Sequence, residues 1–155
     1  MGKAMTIQVG GTAPPFALPN KPGSVVEVGE LIGKEKIVLL FFPLAYSSVC
    51  TAELCTIGED WNAWSDLDAR VFAISVDSPF VTEKFREDCS VPFPILSDLT
   101  RAVVPLYGVY DEEAAVAKRS VFVIGRDGRV AYVWVSDDPA VQPDYEAVKA
   151  AVRSA

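Results

Sequence analysis

Residues 37–50 read Ile37-Val-Leu-Leu-Phe-Phe42, then Pro43-Leu-Ala-Tyr-Ser-Ser-Val-Cys50. An apolar run of this length without polar alternation predicts a strand buried on both faces, hence a central one. Pro43 cannot extend a ladder, and Ser47 and Ser48 can cap a helix. From Cys50 to about Leu67 good helix formers run without proline, which predicts a helix there. The local order is strand, turn, helix, with Cys50 at the turn.

Working outward, Val71-Phe-Ala-Ile-Ser-Val76 predicts a second buried strand. Asp77 and Ser78 are cap candidates and Pro79 suits a first helical turn, so a helix should run to Asp88 and complete a βαβ unit. Phe93 to Leu96 predicts a short strand, and Asp98 or Thr100 could open a short helix ending near Tyr107. The clearest hairpin joins Ser120–Ile124 to Arg129–Val135 through Gly125-Arg-Asp-Gly128. Tyr145 to Ser154 closes the chain as an amphipathic helix, while the prolines between Gly10 and Pro22 allow extended pieces but no helix. A βαβ unit, a hairpin and a terminal helix give the order of an α/β thioredoxin-like fold with a mixed central sheet flanked by helices.

The 155 residues, 50% hydrophobic and 23% charged, suit one globular domain over residues 1–155, large enough to bury roughly 70% of its unfolded surface. The net charge of −7 repels phosphate backbones and anionic lipid, so neither nucleic acid nor a membrane is expected as a partner. With no histidine, Ser-His-Asp and Cys-His catalysis and imidazole metal sites are excluded, and no metal is expected. The start MGKAMTIQVGG has no signal-peptide core, and three cysteines make no disulfide framework; both point to a reducing, cytoplasmic setting. Gly2 and Thr6 fit the short myristoylation pattern, which is weakly specific.

Ligands of α/β sheets gather beyond the carboxyl ends of strands, which is where Cys50 falls. Unpaired N–H groups and the positive end of the helix dipole favour a thiolate in a first turn. An exposed helix end supplies only about 0.3–1 kcal/mol, so a further cation is required, and Arg119, just before the hairpin strand beside the central one, is the candidate. The residues alone leave Cys50 open between nucleophile and packed thiol, and Arg119 between that cation and a surface arginine.

Pro43-xxx-Ser47-xx-Cys50 resembles the P-x-x-x-[T/S]-x-x-C signature of peroxiredoxins, and Arg119 in Lys118-Arg-Ser-Val-Phe-Val-Ile124 matches their active-site arginine. Phe41–Tyr46, Phe93–Asp98 and Tyr107-Gly-Val109 are similar to the alkyl hydroperoxide reductase E branch, near the bacterioferritin-comigratory-protein branch. Ala13-Pro-Pro-Phe16 resembles the N-terminal A-P-x-F element, so the likeness runs from about residue 10 to 150; Gly11, where many members carry Asp, departs from it. The resemblance implies a thioredoxin-like fold with an N-terminal extension. It implies a thiol peroxidase acting on hydrogen peroxide or organic hydroperoxides, with no cofactor. It makes Cys50 the attacking sulfur, Ser47 and Arg119 the ligands of the peroxide oxygens, and Pro43 a shield against water. It also implies recycling by a thioredoxin- or glutaredoxin-like donor, and relatives that often form homodimers.

The resemblance to C-x4-C members favours Cys55 as the resolving thiol, against a packed helix cysteine or a one-cysteine cycle served by an external thiol. On an ideal helix Cys50 and Cys55 would have Cα atoms about 8.6 Å apart, beyond the roughly 7 Å limit for a disulfide, so their bond requires the helix start to unwind. Cys89, with no cation nearby in sequence, is expected to be a packing thiol. Glu53 is weighed between a contact to the Arg119 network and an exposed helix face, and Trp61 and Trp64 are read as packing. A thioredoxin-type thiol-disulfide oxidoreductase is the main rival; it calls for C-x-x-C and a proline before the hairpin strand, where this chain has C-x4-C and Lys118-Arg119.

Overall fold

The computed structural model describes residues 6–155, so Gly2 of the acylation pattern lies outside the described residues. The elements in chain order are β1 (Ala17–Lys21), β2 (Ser24–Glu27), β3 (Lys36–Phe41), α1 (Ser48–Glu59), α2 (Trp61–Ser65), β4 (Ala69–Ser75) and α3 (Pro79–Cys89). There follow β5 (Ile95–Ser97), β6 (Tyr110–Asp111), β7 (Val116–Ala117), β8 (Ser120–Ile124), β9 (Val130–Val135) and α4 (Tyr145–Ser154). The main sheet has the order β5-β4-β3-β8-β9, and β3, buried along its whole length, lies at its centre. It runs parallel to β4 and antiparallel to β8, the mixed sheet expected from the sequence.

Alternation along β3 divides the core. Ile37, Leu39 and Phe41 face one layer with Phe72, Ile74, Phe122 and Tyr107. Val38 and Leu40 face the other, against Leu54 and Ile57 of α1, Phe85 of α3, and Val148 and Val152 of α4. Each fully buried large apolar side chain contributes about 1.5–3 kcal/mol, which is why a two-faced strand needs no polar residue. The Ser78 hydroxyl caps α3 by accepting from Val81 N, and the Asp144 carboxylate caps α4 by accepting from Glu146 and Ala147. The hairpin turns on Gly128, whose φ of +81° suits a residue without Cβ. Among the described residues no helix is long and apolar enough to cross a membrane.

Three expectations are corrected. The helix foreseen from Cys50 to Leu67 starts two residues earlier and is broken at Asp60 (φ −98°, ψ 19°) into α1 and α2. Gly58 lies just before the break, and a Cβ there would sit 3.2 Å from Val91 Cγ1 and 3.5 Å from the Cys89 carbonyl oxygen. A glycine therefore admits the end of α3 at the cost of a weak helix end. The strand foreseen at Phe93–Leu96 is β5 at Ile95–Ser97, since Pro94 lacks an N–H for the ladder.

The helix foreseen between Asp98 and Tyr107 does not form, and turns stand in its place. The buried Asp98 carboxylate accepts from the N–H groups of Ala102, Val103 and Val104 at 2.7–3.0 Å, taking donors that a helical ladder would use. The β1–β2 and β6–β7 ladders add short strands in stretches without a long apolar run. Replacing Asp98 by Ala leaves those three amides without their acceptor. Asp98→Ala should cost about 3 kcal/mol and lower the thermal midpoint by roughly 6–12 °C in a melting experiment; an unchanged midpoint would show that the loop stands without it.

Candidate functional site

The turn from β3 to α1 holds its shape through side chains from distant elements. Tyr46 has φ of +66°, an unfavourable conformation for a bulky residue. Its ring packs on Phe85 at 5.0 Å, and its hydroxyl donates to Asp88 Oδ2 at 2.6 Å, both from α3. Ala45 N donates to Asp77 Oδ2 at 2.8 Å, and Ser75 Oγ donates to the same oxygen. The end of β4 and the helix after it thus set the direction in which α1 leaves. Ser47, extended at ψ 151°, is the N-cap residue; its hydroxyl donates to the Leu44 carbonyl at 3.0 Å and makes no cap bond. Thr51 N is bonded to Ser47 O, so the amide of Cys50 precedes the first intrahelical donor and belongs to the unpaired turn.

Register brings the second half of the site. Ser120 of β8 pairs with Phe41 at the end of β3, which puts Arg119 beside the start of α1. Arg119 Nη2 donates to Cys50 Sγ at 3.1 Å across 69 residues of sequence. Its Nη1 is bonded to Glu53 Oε1 at 2.5 Å, and Nε and Nη2 donate to the Pro139 carbonyl at 3.3 and 3.1 Å. Cys50 and Glu53 are fully buried and Arg119 is 1% exposed. A buried guanidinium needs such partners, because desolvation without them would be prohibitive. Burial alone would lower its proton affinity, yet the charges of Glu53 and the Cys50 sulfur raise it above the ordinary arginine value, so it stays a cation.

A cavity of about 280 Å3 opens beside this network, lined by Pro43, Leu44, Ser47, Ser48, Val49, Arg119, Pro139 and Ala140. Pro43 and Arg119 also border a second cavity of about 250 Å3 that reaches Lys118 and Asp137. The structure therefore gathers Pro43, Ser47 and Arg119 around one opening, with Cys50 buried behind it on the Arg119 guanidinium. It does not bring Cys55 to the sulfur of Cys50 within α1; Cys55 is half-buried and packs into the apolar cluster that holds Cys89 of α3. Burial first, and then the neighbouring Cys55 thiol, holds the Cys89 thiol well above the usual range. Glu53 belongs to the network and not to an exposed helix face. The Pro139 carbonyl was not singled out from sequence, since nothing in a loop proline marks its oxygen as an acceptor.

Three comparisons bear on this arrangement. Residues 9–133 match the model of the AhpC/TSA family. Peroxiredoxin bcp of Coxiella burnetii is 33% identical over 136 residues, covering 84% of this chain and 89% of its own length. Alkyl hydroperoxide reductase E of Mycobacterium bovis is 33% identical over 128 residues, covering 81% and 84%. Among solved structures, peroxidoxin BcpB from Mycobacterium tuberculosis superposes with a TM-score of 0.82 at 27% identity over 96% of this chain and 97% of its own.

Glu53 provides a test of the network. Burial pushes its carboxyl up to about 7, against the opposing pull of Arg119. A folded-state value above the unfolded one means that the folded protein holds the proton more tightly, so stability falls as pH rises from about 4.5 to about 7 and then levels. Glu53→Gln has no such proton to lose. Relative to wild type, its stability in denaturant titrations should therefore improve by about 3 kcal/mol between pH 4 and pH 8. An equal gap at both pH values would place the titration of Glu53 elsewhere.

Proposed function

Since the chain belongs to the AhpC/TSA family and is a thiol-dependent peroxidase, we propose that Cys50 is the sulfur that attacks the peroxide and that Arg119, Ser47 and Pro43 complete its site. The observation that supports this reading is the 3.1 Å hydrogen bond from the buried Arg119 guanidinium to Cys50 Sγ at the mouth of α1. Such a donor balances an anionic sulfur before reaction and a departing oxygen during it.

In the proposed step the Cys50 thiolate attacks one peroxide oxygen in line with the O–O bond. A sulfur–oxygen bond forms, the O–O bond breaks, and the departing oxygen carries the electron pair away and takes a proton to leave as water or an alcohol. Cys50 becomes a sulfenic acid. Arg119 and the unpaired Cys50 amide would stabilise the developing charge, and the Ser47 hydroxyl, with lone pairs free after donating to Leu44, would accept from the peroxide O–H. Pro43, half-buried at the cavity wall, would keep water from the sulfur. Cys55 is assigned as resolving thiol: its attack on the sulfenic sulfur releases water and forms a disulfide, with the first turn of α1 open. A dithiol of thioredoxin or glutaredoxin type then restores both thiols. We further assign the work to one domain over residues 1–155, in the cytoplasm, with a homodimer as the assembly to examine.

Stopped-flow mixing with hydrogen peroxide or an organic hydroperoxide tests these roles. Cys50→Ser should abolish oxidation, and Arg119→Ala should slow it by about 100- to 1,000-fold, the loss typical of one oxyanion donor. A Cys50→Ser protein as active as wild type would remove Cys50 from the mechanism. Cys55→Ser should keep the first turnover and lose sustained turnover with a dithiol donor; undiminished sustained turnover would make an external thiol the resolver.

A further inference from the structure

We propose that Cys55 and Cys89 form a second redox pair, to which the oxidation taken up at Cys50 is passed within the chain. The proposal rests on the reading of Cys50 and Cys55 above and extends it to a thiol with no role there. Cys89 is the last residue of α3 and Cys55 lies on α1, and both side chains pack into one apolar cluster where these helices meet. Gly58 stands one turn beyond Cys55 on the same face of α1. Its lack of a Cβ lets the end of α3 approach, with the Cys89 carbonyl oxygen 3.5 Å from where that Cβ would be. Cys89 is 8% exposed, so it is sheltered from peroxide while remaining open to its neighbour.

The two disulfides open to Cys55 differ in what they demand of the fold. A Cys50–Cys55 bond requires the start of α1 to open, because about 8.6 Å separates the Cα positions on an intact helix. Opening breaks the Thr51–Ser47 bond and separates Cys50 from Arg119. A Cys55–Cys89 bond joins two packed helices and leaves α1 free to close. In the exchange step the Cys89 sulfur, releasing its proton to water while the start of α1 is open, attacks the Cys55 sulfur of the first disulfide. The new sulfur–sulfur bond forms as the old one breaks, and Cys50 leaves as thiolate with the electron pair. No oxidant is consumed, and the driving force is the recovery of the helix start and its ion network. Because burial makes Cys89 hold its proton tightly, it is a poor leaving group, and the new bond resists reversal.

Titration of the fully reduced chain with hydrogen peroxide, without a donor, tests this. Wild type should consume two equivalents per chain, the first ending at Cys55–Cys89 and the second at the regenerated Cys50. Cys89→Ser and Cys89→Ala should each consume one, trapped as Cys50–Cys55. After one equivalent, trypsin should yield peptide 37–70 of wild type linked to peptide 87–101, with Cys50 open to alkylation. In the Cys89 variants the bond should lie within 37–70, and their circular dichroism should show lasting helix loss where wild type recovers. Wild type stopping at one equivalent with its bond inside 37–70 would overturn the relay. So would a 37–70 to 87–101 link in Cys55→Ser, which would make Cys89 a direct resolver. A wild-type chain that consumes no peroxide would instead overturn the underlying peroxidase reading, and the relay with it.

Discussion

A guanidinium buried away from water must be surrounded by acceptors, and the carboxyl end of the sheet is arranged around that requirement. Arg119 meets Glu53 and Cys50 on one side and the Pro139 carbonyl on the other. These partners come from α1 and from the loop after β9, and Arg119 itself from the segment before β8, so satisfying one cation fixes three segments relative to one another. The register of β3 with β8 allows it, because pairing Phe41 with Ser120 brings Arg119 level with the helix mouth. A slip of one residue would turn the apolar side chains of β8 to the wrong faces and carry Arg119 away from the sulfur.

The same region holds the least relaxed backbone near the site. Tyr46 sits at positive φ because α3 grips both its ring and its hydroxyl. Asp77 ties Ala45 to the end of β4. These contacts aim α1 so that its unpaired amides meet Arg119. A strained turn whose shape depends on contacts from other elements is also a suitable place for a helix start to open and close, as a resolving thiol five positions further on would require.

The core strands, the hairpin, the capping of α3, the terminal helix, and the candidacy of Cys50 and Arg119 were legible in the sequence. They depend on local pattern, such as uninterrupted apolar runs, a proline at a helix start, or a glycine in a tight turn. The break at Asp60 and the turns after Asp98 were not legible. Each depends on a contact partner brought from elsewhere, the end of α3 beside Gly58 and a buried carboxylate competing for backbone amides. Local propensity favours a helix in both stretches, and tertiary contact overrides it.

By itself the sequence determined that one sulfur lies beyond the end of a central strand and at the start of a helix, because strand periodicity and helix capping act over a few residues. It could not decide which cation would reach that sulfur, that Glu53 would share that cation, or that Cys55 would pack into one cluster with Cys89. Those are distances between segments far apart in the chain, set only when the sheet register and the packing of α1 on α3 bring them together.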